Sequence, residues 1–400
     1  MLIAWEMGGG FGHLSRLEPI ASQLRSQGHH ILFVVKDVVA ATKWLGLNSY
    51  SFLQAPLPCA AINLRRPPSS YAEILLAEGY GEPDIASGVI ESWLNIIRLY
   101  RPDILISDHS PMAIFAARIL NVRRVMVGSG FELPPLVRPF PCFRPWEDIS
   151  KLDLEAAEGR VLATLNKVAS TYRSRPINDL SDIFDLDWSG ITSFRELDHY
   201  GSRSEANYMG PILSTGKGLL QHWRSGPSTK IFVYLQRHFR ELQWVLRALT
   251  KLDAESMVVV PGLGGDKARA LSTKNVKVFD ELIKIEPLLG SMDLAISYGG
   301  VGVVNLLLLA GVPLFLIPQN IEQYMHSCRV EALGAGLVLG EHRDFSSIEY
   351  LINKVLADSG FSNCANDFKS KYSEYDSAAT VNAVAECING VLNDRSAPVT

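Results

Sequence analysis

Short apolar runs alternate with longer amphipathic stretches at the start of this chain. Leu2-Ile3-Ala4-Trp5 and Ile31-Leu32-Phe33-Val34-Val35 are continuous apolar runs, which are typical of strands buried on both faces of a parallel sheet. Between them, Leu14 to Gln27 carries apolar residues at helical spacing, and Gly28 is a stop signal. The pattern therefore predicts a β-α-β unit.

The same alternation continues through the rest of the chain. It predicts further buried strands near residues 104–106, 122–128, 231–235, 257–260, 276–279, 293–297 and 312–317. Amphipathic stretches predict helices near residues 71–77, 85–99, 111–120, 152–173, 242–252, 303–310, 350–358 and 378–392. Strands and helices in this order predict an α/β protein with parallel sheets.

The stretch from Ser297 to Gly336 is the most informative. The glycine-rich turn Gly299-Gly300-Val301-Gly302 separates a predicted strand from an apolar helix. Backbone N–H groups at that helix N-terminus would stabilise an anion such as a phosphate. Gln319 to Gln323 is predicted to be a polar loop after the next strand, and ligands bind at such strand ends. An ordinary β-α-β unit without a ligand explains the same pattern.

A second glycine-rich turn, Gly8 to Gly12, follows the first predicted strand and ends at His13. A dinucleotide-binding fingerprint would need glycine at position 13, so we disfavour that interpretation, although Asp37 could mimic the ribose-binding acid. An imidazole has a pKa near ~6.5 and can accept a proton at neutral pH. Taken alone, His13 is an ordinary residue at a helix N-terminus or, alternatively, such a proton acceptor.

Asp108 is the candidate partner for His13. It lies at the carboxyl end of the predicted strand 104–106, and His13 likewise follows the carboxyl end of another strand. The two side chains could therefore meet at one edge of the sheet, where a carboxylate would orient the imidazole. The alternative is that Asp108 caps the helix beginning at Pro111, a role that Ser110 could also take. His109 is a spare candidate, expected to be a loop residue.

Composition narrows the class of protein. The chain has 400 residues, 47% hydrophobic and 20% charged, which predicts two globular domains. The net charge of −4 argues against a nucleic-acid-binding protein. The cysteines lack metal-ligand spacing and predict free thiols in the cytoplasm; they are Cys59, Cys142, Cys328, Cys364 and Cys387.

We expect neither a signal peptide nor a membrane span. The N-terminus lacks a basic region and a cleavage site. The longest apolar run, Leu306 to Ile317, is broken by Gly311 and Pro313 and is shorter than the ~20 residues that a membrane helix needs. Peripheral membrane contact and the oligomeric state stay open.

The 297–336 stretch resembles the donor-binding signature of family 1 glycosyltransferases, the UDP-glycosyltransferase and antibiotic glycosyltransferase group. That signature is His-x-Gly-Gly-x-Gly-Thr, a helix, Gly-Val-Pro, a strand, Pro, and an Asp-Gln or Glu-Gln pair. The matching residues here are Gly299, Gly300, Gly302, Gly311-Val312-Pro313, Pro318, Glu322-Gln323 and Gly334-Ala335-Gly336. At the other end, Gly10 to Arg16 resembles the family's Gly-x-Gly-His-x-x-Arg start.

The resemblance implies a fold and a domain layout. The fold is GT-B, an α/β arrangement of two Rossmann-like, doubly wound domains facing each other across a cleft. The acceptor-binding domain would span residues 1–212, a linker residues 213–229, and the nucleotide-sugar-binding domain residues 230–400. The last helix is expected to pack back on the first domain, as in this fold.

The resemblance also implies roles for individual residues. His13 would be the general base and Asp108 its orienting partner. Donor-binding candidates are Gly12, Ser297, Tyr298, Gly299, Gly300, Gly302, Val303, Asn305, Glu322 and Gln323. The sequence departs from the family at Ser297 (usually a phosphate-contacting His), at Val303 (often a hydroxyl) and at Asn305 (often a ribose-binding Glu).

Two further regions supply candidates. Phe131 to Trp146 is rich in proline and aromatic residues, and we interpret Phe131, Phe140 and Trp146 as an acceptor wall or, equally, as a rigid packing loop. After the strand 231–235, Arg237 could bind phosphate in bidentate fashion or simply face solvent.

The resemblance therefore implies an inverting glycosyltransferase that needs no metal and no cofactor. Its cosubstrate would be a nucleoside-diphosphate sugar such as a UDP- or dTDP-sugar, and its acceptor a small molecule or lipid. The alternatives are a non-catalytic sugar-nucleotide-binding protein or partner subunit, an epimerase on the same fold, and, least favoured, an oxidoreductase.

Overall fold

A computed structural model describes residues 1–58, 62–213, 218–224, 228–340 and 343–394. The chain forms two compact units. Unit 1 comprises Met1–Ser193, Arg203–Ile212 and the chain from Ser377 onward. Unit 2 comprises Phe194–Ser202 and Leu213–Asp376. The chain therefore returns to unit 1 at its end.

Both units are built on parallel strands. The strands of unit 1 are β1 (Leu2–Trp5), β2 (Leu32–Val35), β3 (Ser51–Gln54), β4 (Ile104–Ser107), β5 (Arg123–Gly128) and β6 (Trp188–Ile191). Those of unit 2 are β7 (Thr229–Tyr234), β8 (Ala254–Val259), β9 (Val276–Phe279), β10 (Leu294–Ser297), β11 (Leu314–Leu316) and β12 (Gly336–Val338).

The helices cover these sheets. In chain order they are α1 (Gly12–Ser26), α2 (Val38–Trp44), α3 (Tyr71–Ala77), α4 (Pro83–Tyr100), α5 (Pro111–Ile119), α6 (Lys151–Thr171), α7 (Leu242–Thr250), α8 (Gly265–Leu271), α9 (Glu286–Leu289), α10 (Val301–Leu309), α11 (Ile321–Ala332), α12 (Phe345–Ala357), α13 (Ser359–Lys371) and α14 (Ser377–Asn393). Short 3₁₀ turns lie at Gly46–Asn48, Leu180–Phe184 and Arg195–Leu197.

The two sheets share one topology. Unit 1 has the strand order β3-β2-β1-β4-β5-β6, and unit 2 has the order β12-β11-β10-β7-β8-β9. Read from β9 to β12, the order in unit 2 matches the order in unit 1. In each unit the first strand lies at the centre of the sheet, next to the fourth strand of that unit. This is the doubly wound order of a dinucleotide-binding sheet, and its crevice opens where the order reverses. That switch point lies between β1 and β4 in unit 1, and between β7 and β10 in unit 2.

The cores explain the continuous apolar strands. β1, β2 and β4 are fully buried, and β10 and β11 are likewise buried throughout. In unit 2, Ile231 and Val233 join one core cluster with α7 and α12, whereas Phe232 between them joins the other with α10 and α13. Because helices cover both faces of the sheet, no strand position needs to be polar.

Two predictions about the 297–336 stretch need correction. The helix after the glycine turn begins at Val301, so Gly302 belongs to its first turn. The predicted polar loop Gln319 to Gln323 is wrong in its second half, because α11 already begins at Ile321. Asn320 causes this early start, since its Oδ1 accepts a hydrogen bond from the N–H of Gln323 at 2.9 Å.

The predicted linker, residues 213–229, lies partly outside the described residues. Within the described part, Leu219 forms a β-bridge with Ile283, so this part of the predicted linker pairs with unit 2. Among the described residues, Cys142, Cys328, Cys364 and Cys387 are free thiols, and Cys59 lies outside them. Within the described ranges, every helix is too short or too polar to cross a membrane.

Candidate active site

Unit 1 carries a cluster of charged side chains at its switch point. β1 and β4 are neighbours, with Ala4 paired to Ser107. α1 follows β1, and α5 follows β4, so the loops at the carboxyl ends of these strands diverge. His13 and Asp108 lie at these ends. The sheet topology therefore brings together two residues that are 95 positions apart in sequence.

The contact expected between His13 and Asp108 is present. His13 Nδ1 lies 3.0 Å from Asp108 Oδ1, and the Asp108 side chain is fully buried. The imidazole also stacks on the Trp5 indole, with ring centroids 5.0 Å apart. Because the carboxylate can only accept, Nδ1 carries the hydrogen and Nε2 keeps a lone pair. The arrangement can accept a proton at Nε2.

Arg16 completes the cluster, and sequence reasoning quoted it only as part of a motif. It lies one turn after His13, on the same face of α1. Its Nη2 donates to Asp108 Oδ1 at 2.9 Å and Oδ2 at 2.8 Å, and to Glu132 Oε1 at 3.3 Å. Arg16 thus supplies the positive charge that two neighbouring buried carboxylates require. The i, i+3 spacing from His13 was the signal that could have found it.

Glu132 is the second carboxylate, and no sequence signal pointed to it. Its oxygens accept hydrogen bonds from the backbone N–H and the hydroxyl of Ser129, each at 2.8 Å. Burial is the largest single influence and raises the pKa of Glu132, but the positive charge of Arg16 and several smaller influences together outweigh burial and hold that pKa below its usual range. Glu132 is therefore ionised and anchors the guanidinium.

The same cluster has the composition of a metal site. His13, Asp108 and Glu132 offer ligand atoms within 4.8 Å of one another. The guanidinium of Arg16, however, donates hydrogen bonds to both carboxylates. A protein cation therefore already lies among these oxygens.

His109 is the remaining polar residue at this switch point. It has a φ of +53°, a left-handed conformation that is uncommon for histidine. Its side chain is buried, and burial lowers the pKa of His109 to about 4, so the imidazole is neutral. Its ring centroid lies 6.3 Å from that of His13. His109 is a loop residue, as expected, and its side chain is also part of the cluster.

Unit 2 carries a different arrangement at its own switch point, where Tyr234 of β7 pairs with Ser297 of β10. Gly299 has a φ of +87°, and an ideal Cβ there would lie 2.4 Å from Ser327 Oγ. Only glycine fits this turn. α10 comes next with Gly300 as its N-cap, and no side chain caps the helix. The first N–H groups of α10 therefore suit an anion.

Tyr298 belongs to this turn, and Arg237 follows the neighbouring strand β7. The Tyr298 ring is 5.5 Å from that of Tyr234, and its hydroxyl hydrogen-bonds to the side chains of Tyr234 and Gln236. Burial raises the pKa of Tyr298 well above its usual value, so its hydroxyl stays protonated. Arg237 lies after β7 and is exposed, with Nη2 3.1 Å from His238 Nε2.

The three positions that depart from the family signature contact this chain's own backbone or core. Ser297 is fully buried, and its Oγ accepts from the N–H of Gly299 at 3.2 Å. Asn305 is also fully buried, and its Nδ2 donates to the carbonyl of Val301 at 2.8 Å. Val303 packs partly buried against the core. Ser297 and Asn305 thus hydrogen-bond to the local backbone.

The first turn of α11 holds the remaining donor candidates. Glu322 is partly buried, whereas Gln323 is buried and its Oε1 accepts from the N–H of Gln319 at 2.9 Å. His326, which sequence reasoning missed, is fully buried and its Nδ1 lies 3.1 Å from the carbonyl oxygen of Gly299. Burial lowers the pKa of His326 to about 4, so a neutral imidazole supports the glycine turn.

The acceptor candidates differ in exposure. Phe140 is buried and packs edge-on against Tyr71, with ring centroids 5.9 Å apart, so it belongs to the core of unit 1. Phe131 is buried with its ring against His109. Trp146 is 49% exposed. Gly12, the first residue of α1, is exposed, with open space where a Cβ would stand.

Comparison with known proteins gives sequence relatives. The family model of the erythromycin biosynthesis protein CIII-like C-terminal domain matches residues 243–387. UDP-glucosyltransferase avaP of Aspergillus versicolor is 30% identical over 133 residues, which are 33% of this chain and 29% of that protein. The PGL/p-HBAD biosynthesis glycosyltransferase Rv2958c of Mycobacterium tuberculosis is 23% identical over 339 residues, 79% of this chain and 78% of that protein.

Solved structures match over nearly the whole chain. CalG4, the calicheamicin glycosyltransferase, has a TM-score of 0.74 at 18% identity and covers 99% of both chains. The spinosyn rhamnosyltransferase SpnG complexed with thymidine diphosphate has a TM-score of 0.70 at 18% identity, over 96% of this chain and 99% of that chain. At such identity these likenesses show the fold, which confirms the predicted GT-B class.

These relatives and structural neighbours are all glycosyltransferases. The family model lies in unit 2 and α14, the longest sequence alignment spans both units, and both six-stranded sheets match the GT-B fold. The chain is therefore similar in sequence to the family 1 group of UDP-glycosyltransferase and antibiotic glycosyltransferase proteins, and it has the GT-B fold.

Proposed function

We propose that this protein is an inverting glycosyltransferase that moves a sugar from a nucleoside-diphosphate sugar to a small-molecule or lipid acceptor without a metal ion. The observation that carries the proposal is the buried His13–Asp108 pair at the switch point of unit 1. A solvent-facing His–Asp contact would be ordinary, but burying a carboxylate costs free energy, and buried titratable groups of this kind cluster at functional sites.

In this proposal His13 acts as the general base. Its Nε2 takes the proton of the acceptor as the nucleophile forms a bond to the anomeric carbon of the sugar. Asp108 fixes the tautomer and stabilises the imidazolium that results. Arg16, which donates to both oxygens of Asp108, prevents that carboxylate from rotating away. A single displacement of this kind inverts the anomeric carbon.

Unit 2 would hold the donor. The bond from the anomeric carbon to the diphosphate oxygen breaks as the nucleophile attacks, and negative charge develops on the departing diphosphate. The uncapped N-terminus of α10 and the Gly299–Gly302 backbone offer N–H donors for that charge. Glu322 and Gln323 would contact sugar hydroxyls, and Arg237 would contact phosphate.

The proposal also covers the donor nucleotide, the cellular location and the lack of a metal requirement. The donor would be a UDP- or dTDP-sugar used as a cosubstrate, with no resident cofactor, and the reaction would take place in the cytoplasm. SpnG, which shares the fold, was solved with thymidine diphosphate. The Arg16 guanidinium between Asp108 and Glu132 supports independence from metal at this switch point, because it already balances their charge.

One observation favours a second candidate, a non-catalytic sugar-nucleotide-binding protein. Ser297 replaces the usual phosphate-contacting His of the family, and its hydroxyl is buried and hydrogen-bonded to Gly299. A bound phosphate would then receive one hydrogen bond fewer from protein side chains. Such a protein would bind a nucleotide sugar but would not transfer the sugar.

The test is a panel of UDP-, dTDP- and GDP-sugars in excess EDTA. Calorimetry reports binding, and release of the nucleoside diphosphate reports turnover with water or an added acceptor. We expect both signals with at least one donor. Binding without release would support the second candidate, and neither signal with any donor would reject both.

A further inference from the structure

His109 occupies a position that the proposed mechanism does not yet use. It lies directly after Asp108, and its carbonyl oxygen accepts a hydrogen bond from the N–H of Met7 at 3.0 Å. That bond ties the loop after β4 to the loop after β1. The rings of Tyr71 and Phe131 lie 6.0 Å and 6.2 Å from the imidazole and enclose it. The ring is therefore held in one orientation.

Gly8 marks a gap that His13 and His109 share. An ideal Cβ at Gly8 would lie 2.6 Å from His13 Nε2 and 3.3 Å from His109 Nδ1. Two imidazole nitrogens, one from α1 and one from the loop after β4, thus face one small space. Gly8 is exposed and has a φ of +78°, so this space is open to solvent and closed to any larger residue.

The surroundings of His109 determine its tautomer. His109 Nε2 is buried and has no hydrogen-bond partner among the described residues. A buried N–H without a partner is rarer in proteins than a lone pair without one. A neutral imidazole carries one N–H. The hydrogen therefore belongs on Nδ1, which faces the gap at Gly8 as a donor.

The geometry points to His109 as a second residue that touches the acceptor, donating its Nδ1–H to the nucleophilic oxygen while His13 Nε2 accepts the proton of that oxygen. The inference rests on the proposed function. The proton moves from oxygen to His13 Nε2, the new bond joins oxygen to the anomeric carbon, and the diphosphate leaves. The His109 hydrogen stays on Nδ1.

This pair of contacts selects the kind of nucleophile. A hydroxyl has one hydrogen and two lone pairs, so it can donate to His13, accept from His109 and still attack with the second lone pair. A neutral amine has a single lone pair. If that pair accepts from His109, none remains for attack. His109 therefore favours hydroxyl over amine acceptors.

The first test reads the tautomer directly. Protein labelled with ¹⁵N-histidine gives long-range ¹H–¹⁵N correlations that distinguish Nδ1–H from Nε2–H, and the His109→Asn variant assigns the signal. We expect the Nδ1–H form. Finding the Nε2–H form would overturn the inference without reference to any substrate.

The second test compares variants on a matched pair of acceptors, 7-hydroxy-4-methylcoumarin and 7-amino-4-methylcoumarin, with water-driven donor hydrolysis as a further hydroxyl reaction. His109→Ala should lower kcat for the hydroxyl reactions roughly 10- to 100-fold, the effect of one hydrogen bond to developing charge. KM for the donor should not change. The rate with the amine should not fall, so the hydroxyl-to-amine ratio drops.

His109→Asn is the matched control, because the asparagine amide can donate from the position of Nδ1 and asparagine tolerates a left-handed φ. It should keep turnover within a few-fold of the unsubstituted protein. An unchanged hydroxyl-to-amine ratio in His109→Ala would overturn the inference and leave the proposed function intact. Failure of the unsubstituted protein to turn over any donor would overturn the proposed function and this inference together.

Discussion

The two units have the same strand order but opposite chemistry at their switch points. In unit 1 the crevice between β1 and β4 is lined by side chains that titrate or carry charge: His13, Arg16, Asp108 and Glu132. In unit 2 the crevice between β7 and β10 is formed by a glycine turn and the start of α10. One crevice is suited to moving a proton, and the other to holding an anion.

The difference originates in the groups that each unit places at its switch point. In unit 1, α1 begins with His13 and Arg16 facing the sheet edge, and each needs a buried partner, so carboxylates from two other loops converge on them. In unit 2, the corresponding groups are backbone N–H donors and neutral side chains such as Tyr298 and His326. Because Tyr298 and His326 are neutral, they leave the N-terminus of α10 available to an anion.

Replacing His13 should give the largest effect. We expect His13→Ala to lower glycosyl transfer ~10²- to 10⁴-fold, because the acceptor loses its proton acceptor. Donor affinity, measured by calorimetry, should not change, since we propose that unit 2 holds the donor. His30→Ala is the control, because the His30 side chain is exposed in the same unit. If His13→Ala transferred sugar at an undiminished rate, His13 would not be the general base, and unit 1 would not have the proton-transfer role that distinguishes it from unit 2.

Replacing Arg16 tests whether unit 1 depends on charge. Arg16→Leu leaves Asp108 and Glu132 buried without their cation, so we expect the free energy of unfolding at pH 7 to fall by ~3–5 kcal/mol. Arg98→Leu breaks an exposed ion pair with Glu91, a long hydrogen bond to Asn95 and a cation–π contact with Tyr172, and should cost under ~1 kcal/mol. Urea unfolding measures both. Equal effects of the two substitutions would show that the buried network contributes no more than a surface pair.

The pH dependence of stability in the unsubstituted protein and in Arg16→Leu sharpens this prediction. The folded-state pKa of Glu132 lies below its unfolded value of ~4.3, so its stabilising contribution is complete above that pH and is lost as the pH falls further. In Arg16→Leu that depressing charge is gone, and burial favours the protonated carboxyl. The difference in stability between the two proteins should therefore shrink from pH 7 to pH 4.

A glycine substitution tests the backbone crevice of unit 2 and should have the smallest effect on stability. Gly299→Ala places a Cβ 2.4 Å from Ser327 Oγ at a positive φ, so we expect a loss of ~1–3 kcal/mol and about tenfold weaker donor binding. Gly302→Ala has open space around its Cβ and should not lower stability. Calorimetry with the donor and urea unfolding measure both quantities. If Gly299→Ala bound the donor with unchanged affinity, the turn at Gly299 would not be part of the donor site.

Most of the framework was determined by the sequence alone. Apolar runs and helical periodicity located most strands and helices of both sheets, because burial on both faces of a parallel sheet imposes continuous apolar strands. The ends of those strands marked His13, Asp108 and the glycine turn at Gly299, since ligand sites lie at strand ends. The resemblance to family 1 glycosyltransferases then indicated that the two halves of the chain form one GT-B fold.

Only the tertiary structure decided which side chains meet at those strand ends. Glu132 reaches Arg16 across 116 positions, and His109 faces Gly8 through a left-handed backbone. Such contacts depend on strand register and loop conformation, which leave no periodic signal. The start of α11 at Ile321 depended on a single cap, Asn320, that pattern analysis treated as loop. Local patterns specify local elements, whereas long-range pairing of buried charges is set by the topology that brings those elements together.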